Sequence, residues 1–418
     1  MMSNGKVNGR PLRVVMIVPG FPTSHQPHRG IFNLRAAKAL AALAELRVVF
    51  LRAWKPGRRV VSMSSMEGVT VTTLAVPQLI GTPALNASLY KYLGWPLVRH
   101  LLRFNCDVVH SVDLTIGIVA SFWARRAGVH HVAQTNGSDI NSILPRILKR
   151  RGVRGWERHV HAVACNSQAL AESFLTLYPK THNVRTVYRG VDLERCNPHG
   201  PALGPLAARP PVRYLFLGGF PRYSTLHGVN TKGGETLLEA WQVAERDFGS
   251  SPASLMIAGT ASDSERVVRW RDALKHPDRV LLGGALPPAQ IPAYVRSSDV
   301  VLQPSMQEGL PNVTMEAAAC ARPVFGSLVG GIPEVLKHGE TGLILPAGDV
   351  TAWATALVDY STQAATLERM GKRARQFMEL SFDHRQYGPQ MLDLYAAALR
   401  EPLSCGGTTD LVGQNFGR

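Results

Sequence analysis

The chain has 418 residues, 45% hydrophobic and 18% charged; this exceeds one ordinary core and predicts two globular domains, not a disordered chain. Cys106, Cys165, Cys196, Cys320 and Cys405 are odd in number, dispersed and without a C-x-x-C pair, which points away from a disulfide framework or zinc ribbon and toward a reducing, cytoplasmic setting. A formal net charge of +16 suits nucleic acid, an anionic membrane surface or an acidic substrate, or reflects arginine-rich composition alone; no helix-turn-helix, zinc-finger or RNA-binding signature supports nucleic acid.

Residues 12–18 read as a buried strand, broken by Gly20-Phe21-Pro22 into a polar loop that ends at Gly30, before a helix over 31–44. The apolar segment at the start is too short for a signal peptide, and no apolar run is long enough to span a bilayer. Further strands are predicted at 46–51, 69–76, 107–110, 130–134, 162–165 and 184–188, with helices at 86–104, 115–127 and 168–177. This alternation predicts a parallel sheet with ligands at the carboxyl ends of its strands.

Within that series, Asn136-Gly137 reads as a turn with Asp139 able to cap the next segment. Arg146, Lys149, Arg150, Arg151, Arg154 and Arg158 alternate with Ile147, Leu148, Val153 and Trp156. The stretch reads either as an amphipathic face for an anionic membrane or phosphorylated lipid, or as the solvated side of a helix; the pattern favours the second.

Residues 198–211 carry five prolines and two glycines and read as a linker between a first domain over 1–197 and a second over 212–380. The second opens with a strand at 212–217 and Gly218-Gly219; after a long loop, Thr231-Lys232-Gly233-Gly234 starts a helix. A lysine at a helix start is disfavoured by the dipole, so an anion partner is expected there. Strands at 254–258, 280–282 and 299–302 continue a second Rossmann-like sheet. Helical segments are expected over 350–380 and 384–400, and a disordered tail over 401–418.

The most informative stretch runs from 300 to 349. An apolar strand ends at Pro304, a turn-rich loop holds Glu308, Gly309 and Pro311, and Asn312 is placed to cap a helix through residue 321. Its first amides would attract an anion, and Glu308 and Glu316, seven residues between them, could both accept hydrogen bonds from sugar hydroxyls. The E-x7-E pattern, followed by R-P-V, G-G-I-P-E and G-x-x-G-L-I-L-P-A-G-D, resembles the GT4 family of retaining glycosyltransferases.

The resemblance implies an α/β architecture of the GT-B type, two Rossmann-like doubly wound domains facing across a cleft, with the last helix, over 381–400, crossing back to the first domain. It implies that Glu316 holds the ribose hydroxyls and Glu308 lies beside the donor sugar, while backbone amides of Leu310, Asn312 and Val313 face sugar and diphosphate. Pro311 has no amide to offer. Lys232 matches the family's diphosphate-binding lysine; Gly219 stands where the family usually has arginine, and Arg222 is the nearest replacement. Asn136 stands where histidine is common, so it can bond a sugar hydroxyl or backbone but cannot act as a general base; Asp139 would hold a sugar hydroxyl or a loop amide. Gly30 either brings backbone close to a ligand or is an ordinary turn residue.

There is no D-x-D, P-loop or G-x-G-x-x-G, and His25 with His28, or His159 with His161, lack further ligands at metal-site spacing. No metal or other cofactor is expected. The implied protein is a cytoplasmic glycosyltransferase that moves a sugar, with retention, from a nucleotide sugar (UDP- or GDP-linked) to a hydroxyl of a glycan or lipid-linked acceptor. Polysaccharide or glycoconjugate biosynthesis is the usual setting for such enzymes, and the basic charge is compatible with peripheral association with an anionic membrane. The alternatives are a GT-B nucleotide-sugar epimerase or hydrolase, and a non-catalytic sugar-nucleotide binding or scaffold protein.

Overall fold

The computed structural model describes residues 2–403, apart from 4–5, 8, 24–25, 27–28, 58, 78–82, 105, 138, 144–154, 221–224 and 227–228. The chain forms two compact units. The first holds the segment up to Asn166, Leu170–Val187 and the segment from Tyr387; the second holds Ser167–Ala169 and Tyr188–Gln386.

In the first unit, β1 (Arg13–Val18), β2 (Glu45–Ala53), β3 (Val61–Met66), β4 (Val69–Val76), β5 (Val108–Val112), β6 (His130–Thr135), β7 (Ala162–Cys165) and β8 (Val184–Thr186) form one sheet. Its order is β8-β7-β6-β5-β1-β2-β4-β3, parallel throughout except at the β3 edge, which runs antiparallel to β4. Helices α1 (Ile31–Ala41), α2 (Pro83–Phe104), α3 (Leu114–Ala127) and α4 (Gln168–Leu177) provide the crossovers. Strands β1 and β5 are almost continuous runs of buried residues, as a sheet covered on both faces requires.

The second unit has β9 (Arg213–Phe216), β10 (Ser254–Ile257), β11 (Val280–Leu282), β12 (Val300–Gln303), β13 (Val324–Ser327) and β14 (Gly342–Leu345) in the order β11-β10-β9-β12-β13-β14, all parallel. Its helices are α5 (Gly234–Ala244), α6 (Glu265–Asp272), α7 (Ile291–Arg296), α8 (Asn312–Ala319), α9 (Ile332–Val335), α10 (Val350–Tyr360) and α11 (Ala364–Ser381). One face of the sheet packs Trp241, Trp353 and Phe216, and the other packs Met315, Val335 and Met378. Residues 198–211 lie inside this unit, where Leu206 is buried and Arg296 donates to the Pro201 carbonyl at 3.0 Å. The division therefore falls at 187/188, ahead of the proline-rich stretch.

The final helix, α12 (Tyr387–Ala398), packs on the first unit's sheet and buries Tyr387, Met391, Leu394 and Tyr395. Tyr395 Oη pairs with His110 Nδ1 at 2.8 Å, and Tyr387 donates to Gln134 Oε1 at 3.0 Å. Beyond the helix, Glu401 is held: its carboxylate accepts from Asn183 Nδ2 at 2.9 Å and its carbonyl pairs with His130 Nε2 at 3.0 Å. Residues 401–403, expected as the start of a disordered tail, are thus placed, and residues 404–418 lie outside those described.

Candidate active site

The strand order of the second unit reverses between β9 and β12, so the loops at their carboxyl ends flank a crevice open to a ligand. Glycines stitch these two loops and the loop after β13 together. Gly233 has φ +71, and a Cβ there would collide with the Pro304 carbonyl; beside it, Met306 donates its amide to the Thr231 carbonyl at 2.9 Å. Gly330, at φ +49, lies against the Glu308 carbonyl, and the Gly331 amide donates to the Gly309 carbonyl at 2.8 Å. Side chains at either position would push the loops apart.

Within this frame Lys232 Nζ sits 2.7 Å from Glu308 Oε1. The same oxygen accepts from Gln303 Nε2 at 3.0 Å and Ser305 Oγ at 2.9 Å. Glu308, its side chain only 10% exposed, is thus held by three donors. Glu316, on α8, is paired with Arg195 Nη1 at 3.0 Å, and Arg195 Nη2 donates to the Pro288 carbonyl at 2.6 Å. Nothing local in the sequence singles out Arg195, because its partners are remote in the chain.

Asn312 does not cap α8. Pro311, extended at φ −79 and ψ 113, occupies the capping position, and Asn312 is the first helical residue, exposed and making no side-chain cap bond. The proline ring favours that entry conformation. The amides of Asn312, Val313 and Thr314 have no carbonyl one turn back; that of Met315 is the first to find one, on Pro311 at 3.3 Å. The helix start therefore still presents donors and a positive dipole end to an anion. Leu310 is buried beneath it and Val313 partly so.

At Gly219 φ is +57, and a Cβ would collide with the backbone of Thr260, whose carbonyl accepts the Phe220 amide at 2.7 Å. The main chain itself packs against the loop after β10, so no arginine fits at this position. Arg222 lies outside the described residues.

The first unit's strand order reverses between β1 and β5. Gly30, at φ +71, packs against Gly20, and a Cβ would collide with the Gly20 carbonyl; the residue folds the loop onto itself. Asp139 is fully buried. Its Oδ2 accepts from the Leu114 amide at 2.9 Å, and its Oδ1 from Thr135 Oγ1 at 2.9 Å and the Gly137 amide at 2.8 Å. These bonds tie the Asp139 carboxylate to the loop after β6 and to the start of α3. Asn136 gives its backbone amide to Asp139 Oδ1 at 3.2 Å, while its own side-chain oxygen is buried and has no hydrogen-bond partner among the described residues.

Sequence reading also missed Asp113. It caps α3 at φ +82, strained for a non-glycine residue, and accepts from the Thr115 amide at 2.8 Å. Burial, and then the nearby charge of Asp139, push its carboxyl up to about 7.

Of the histidines weighed as ligands, His25 and His28 lie outside the described residues. His161 Nδ1 accepts from the His131 amide at 3.1 Å, and burial lowers the His161 pKa to about 4. Among the described residues no group of three or more His, Cys, Asp or Glu side chains is arranged to hold a metal ion. No described helix is long and apolar enough to cross a membrane. Of the basic stretch, Arg158 is exposed and the other five cations lie outside the described residues.

Comparison with known proteins bears on this geometry. Residues 227–377 match the family described as Glycosyl transferases group 1, and residues 14–195 match Glycosyltransferase Family 4. The chain is 28% identical over 281 residues to a GDP-mannose-dependent alpha-(1-6)-phosphatidylinositol monomannoside mannosyltransferase of Mycolicibacterium smegmatis, covering 65% of this chain and 71% of that one. It is 30% identical over 251 residues to a D-inositol 3-phosphate glycosyltransferase of Xylanimonas cellulosilytica, covering 57% of each. Among solved structures, Anabaena Alr3699/HepE in complex with UDP and glucose superposes with a TM-score of 0.68 at 16% identity, over 92% of this chain and 99% of that one.

Proposed function

Because the chain belongs to glycosyltransferase family 4 and has the GT-B fold, we propose that it transfers a sugar, with retention and without a metal, from a nucleoside diphosphate sugar to a hydroxyl of a glycan or lipid-linked acceptor. The observation that carries this reading is the grouping at the β9/β12 reversal: Lys232 held on Glu308 at 2.7 Å, and Glu316 on the helix whose first amides lack intrahelical partners.

In this reading Glu316 accepts the ribose hydroxyls. The amides at the start of α8 and the Lys232 ammonium receive the diphosphate, whose negative charge grows as the glycosidic bond breaks. Glu308 accepts from hydroxyls of the donor sugar, and Lys232 beside it links sugar and phosphate. As the new C–O bond forms, the acceptor hydroxyl gives its proton to the departing phosphate oxygen, so no protein base is required.

The relatives named above are described as acting on a phosphatidylinositol mannoside and on inositol 3-phosphate, which supports a polyol or lipid-linked acceptor. The test is calorimetric titration of wild type and Glu316→Ala with UDP, GDP and ADP in EDTA. Tight binding of one nucleotide, lost in the variant, is expected and names the base. Binding of none, or binding that survives the substitution, would overturn the reading and favour a scaffold role.

A further inference from the structure

We propose that Arg195 is a positioning residue that fixes the carboxylate of Glu316 for recognition of the donor's ribose; this rests on the reading that Glu316 accepts the ribose hydroxyls. A glutamate on a helix has three rotatable side-chain bonds and must give up that freedom when it binds. Here the freedom is already removed. Arg195 Nη1 donates to Glu316 Oε1 at 3.0 Å while Nη2 donates to the Pro288 carbonyl at 2.6 Å, so the guanidinium is clamped between a backbone oxygen and the carboxylate.

The other end of Arg195 is fixed as well. Asp192 Oδ1 accepts the Arg195 amide at 3.0 Å and the Glu194 amide at 3.1 Å. Gly190, at φ +66, lets the chain pass so close to Phe382 and His384 that a Cβ would strike their backbone. The segment from Gly190 to Arg195 is thus a bracket, anchored at its base, whose tip holds Glu316 across 121 residues of sequence.

The choice of arginine follows from this geometry. A planar guanidinium reaches two acceptors in different directions at once, whereas an ammonium is a single point on a flexible stem. With Oε1 oriented by Arg195, the carboxylate keeps Oε2 and a remaining lone pair for two vicinal hydroxyls. The positive charge also offsets that of the carboxylate, so a diphosphate bound by the same unit meets less repulsion.

The test is a ribose-preference measurement: calorimetric affinities of UDP, GDP and ADP and of their 2′,3′-dideoxy counterparts for wild type, Arg195→Met, Arg195→Lys and Glu316→Gln. Wild type should prefer the ribonucleotide it binds by about tenfold or more, since a charged hydrogen bond is at stake. Arg195→Met should lose most of that preference while keeping its dideoxynucleotide affinity within about twofold, and Arg195→Lys should fall between. Equal weakening of both nucleotides would mean a merely structural role, and an unchanged preference would mean no role; either overturns the proposal. If Arg195→Met does not fold, the preference of Arg195→Lys decides in the same way. Preference retained in Glu316→Gln would instead overturn the reading of Glu316 beneath it.

Discussion

Lys232 and Glu308, 76 residues apart, meet at 2.7 Å in a loop frame built on glycine. The pair joins the residue expected to hold the diphosphate to the one expected beside the sugar. Replacing Lys232 by Met should lower kcat/KM by about 10² or more, as removal of a preorganised cation does. Steady-state kinetics checks this, and activity near that of wild type would remove Lys232 from the site.

The same substitution strands the mostly buried Glu308. A second change, Glu308→Gln, should therefore recover part of the stability lost in Lys232→Met, because it removes the uncompensated carboxylate. Thermal denaturation of the single and double variants reads the coupling. Strict additivity would show that the two side chains do not depend on each other.

Asp113 gives the first unit a pH dependence. Its carboxyl is raised from 3.8 to about 7 by burial and by Asp139, so between those values the folded chain keeps a proton that the unfolded chain has lost. The contribution is favourable at low pH and is lost as pH rises through that window. Asp113→Asn can keep the bond from the Thr115 amide without the charge. It should gain a few kcal/mol of stability, up to about 4, at pH 8 and little at pH 4, measured by denaturant unfolding at the two pH values. A gain independent of pH would contradict this origin.

Restoring the arginine common in the family, Gly219→Arg, should fail. At φ +57, with Thr260 backbone in the way of a Cβ, any side chain is strained, and a loss of at least about 1 kcal/mol is expected. A variant as stable as wild type would show that the loop after β10 yields easily.

Tyr395→Phe removes one partner of a fully buried bond to His110. A cost of about 1–3 kcal/mol is expected, with nucleotide binding unchanged. Unfolding curves and calorimetry on the same preparation separate the two effects.

The fold was legible where apolar residues ran together or recurred at strand or helix spacing. Strands β4, β7 and β11 and helix α4 fall at the bounds expected from the sequence. Strand β3 was missed because V-S-M-S-S-M is mostly exposed and its apolar alternation breaks off at the Ser64-Ser65 pair. Strands β13 and β14 were read only as motif, since each is four residues long, Gly326 interrupts the first and Gly342 opens the second. At the candidate site, Glu308 and Glu316 stand out in the sequence by their spacing and Lys232 by its place before a helix; the contacts that orient them do not. Arg195 meets Glu316 only through the tertiary fold, and nothing near Asn312 announced that Pro311 would take the capping place.

The glycine seams carry a lesson for redesign. Gly233 on Pro304, Gly330 on Glu308 and Gly331 on Gly309 join main chain to main chain, so the loops around the crevice behave as one casting and cannot be exchanged singly. A graft that brings in one loop from another enzyme would arrive without its mating surface. Changing the sugar this chain accepts should therefore begin with exposed side chains of the casting, such as Asn312, and leave the seams alone.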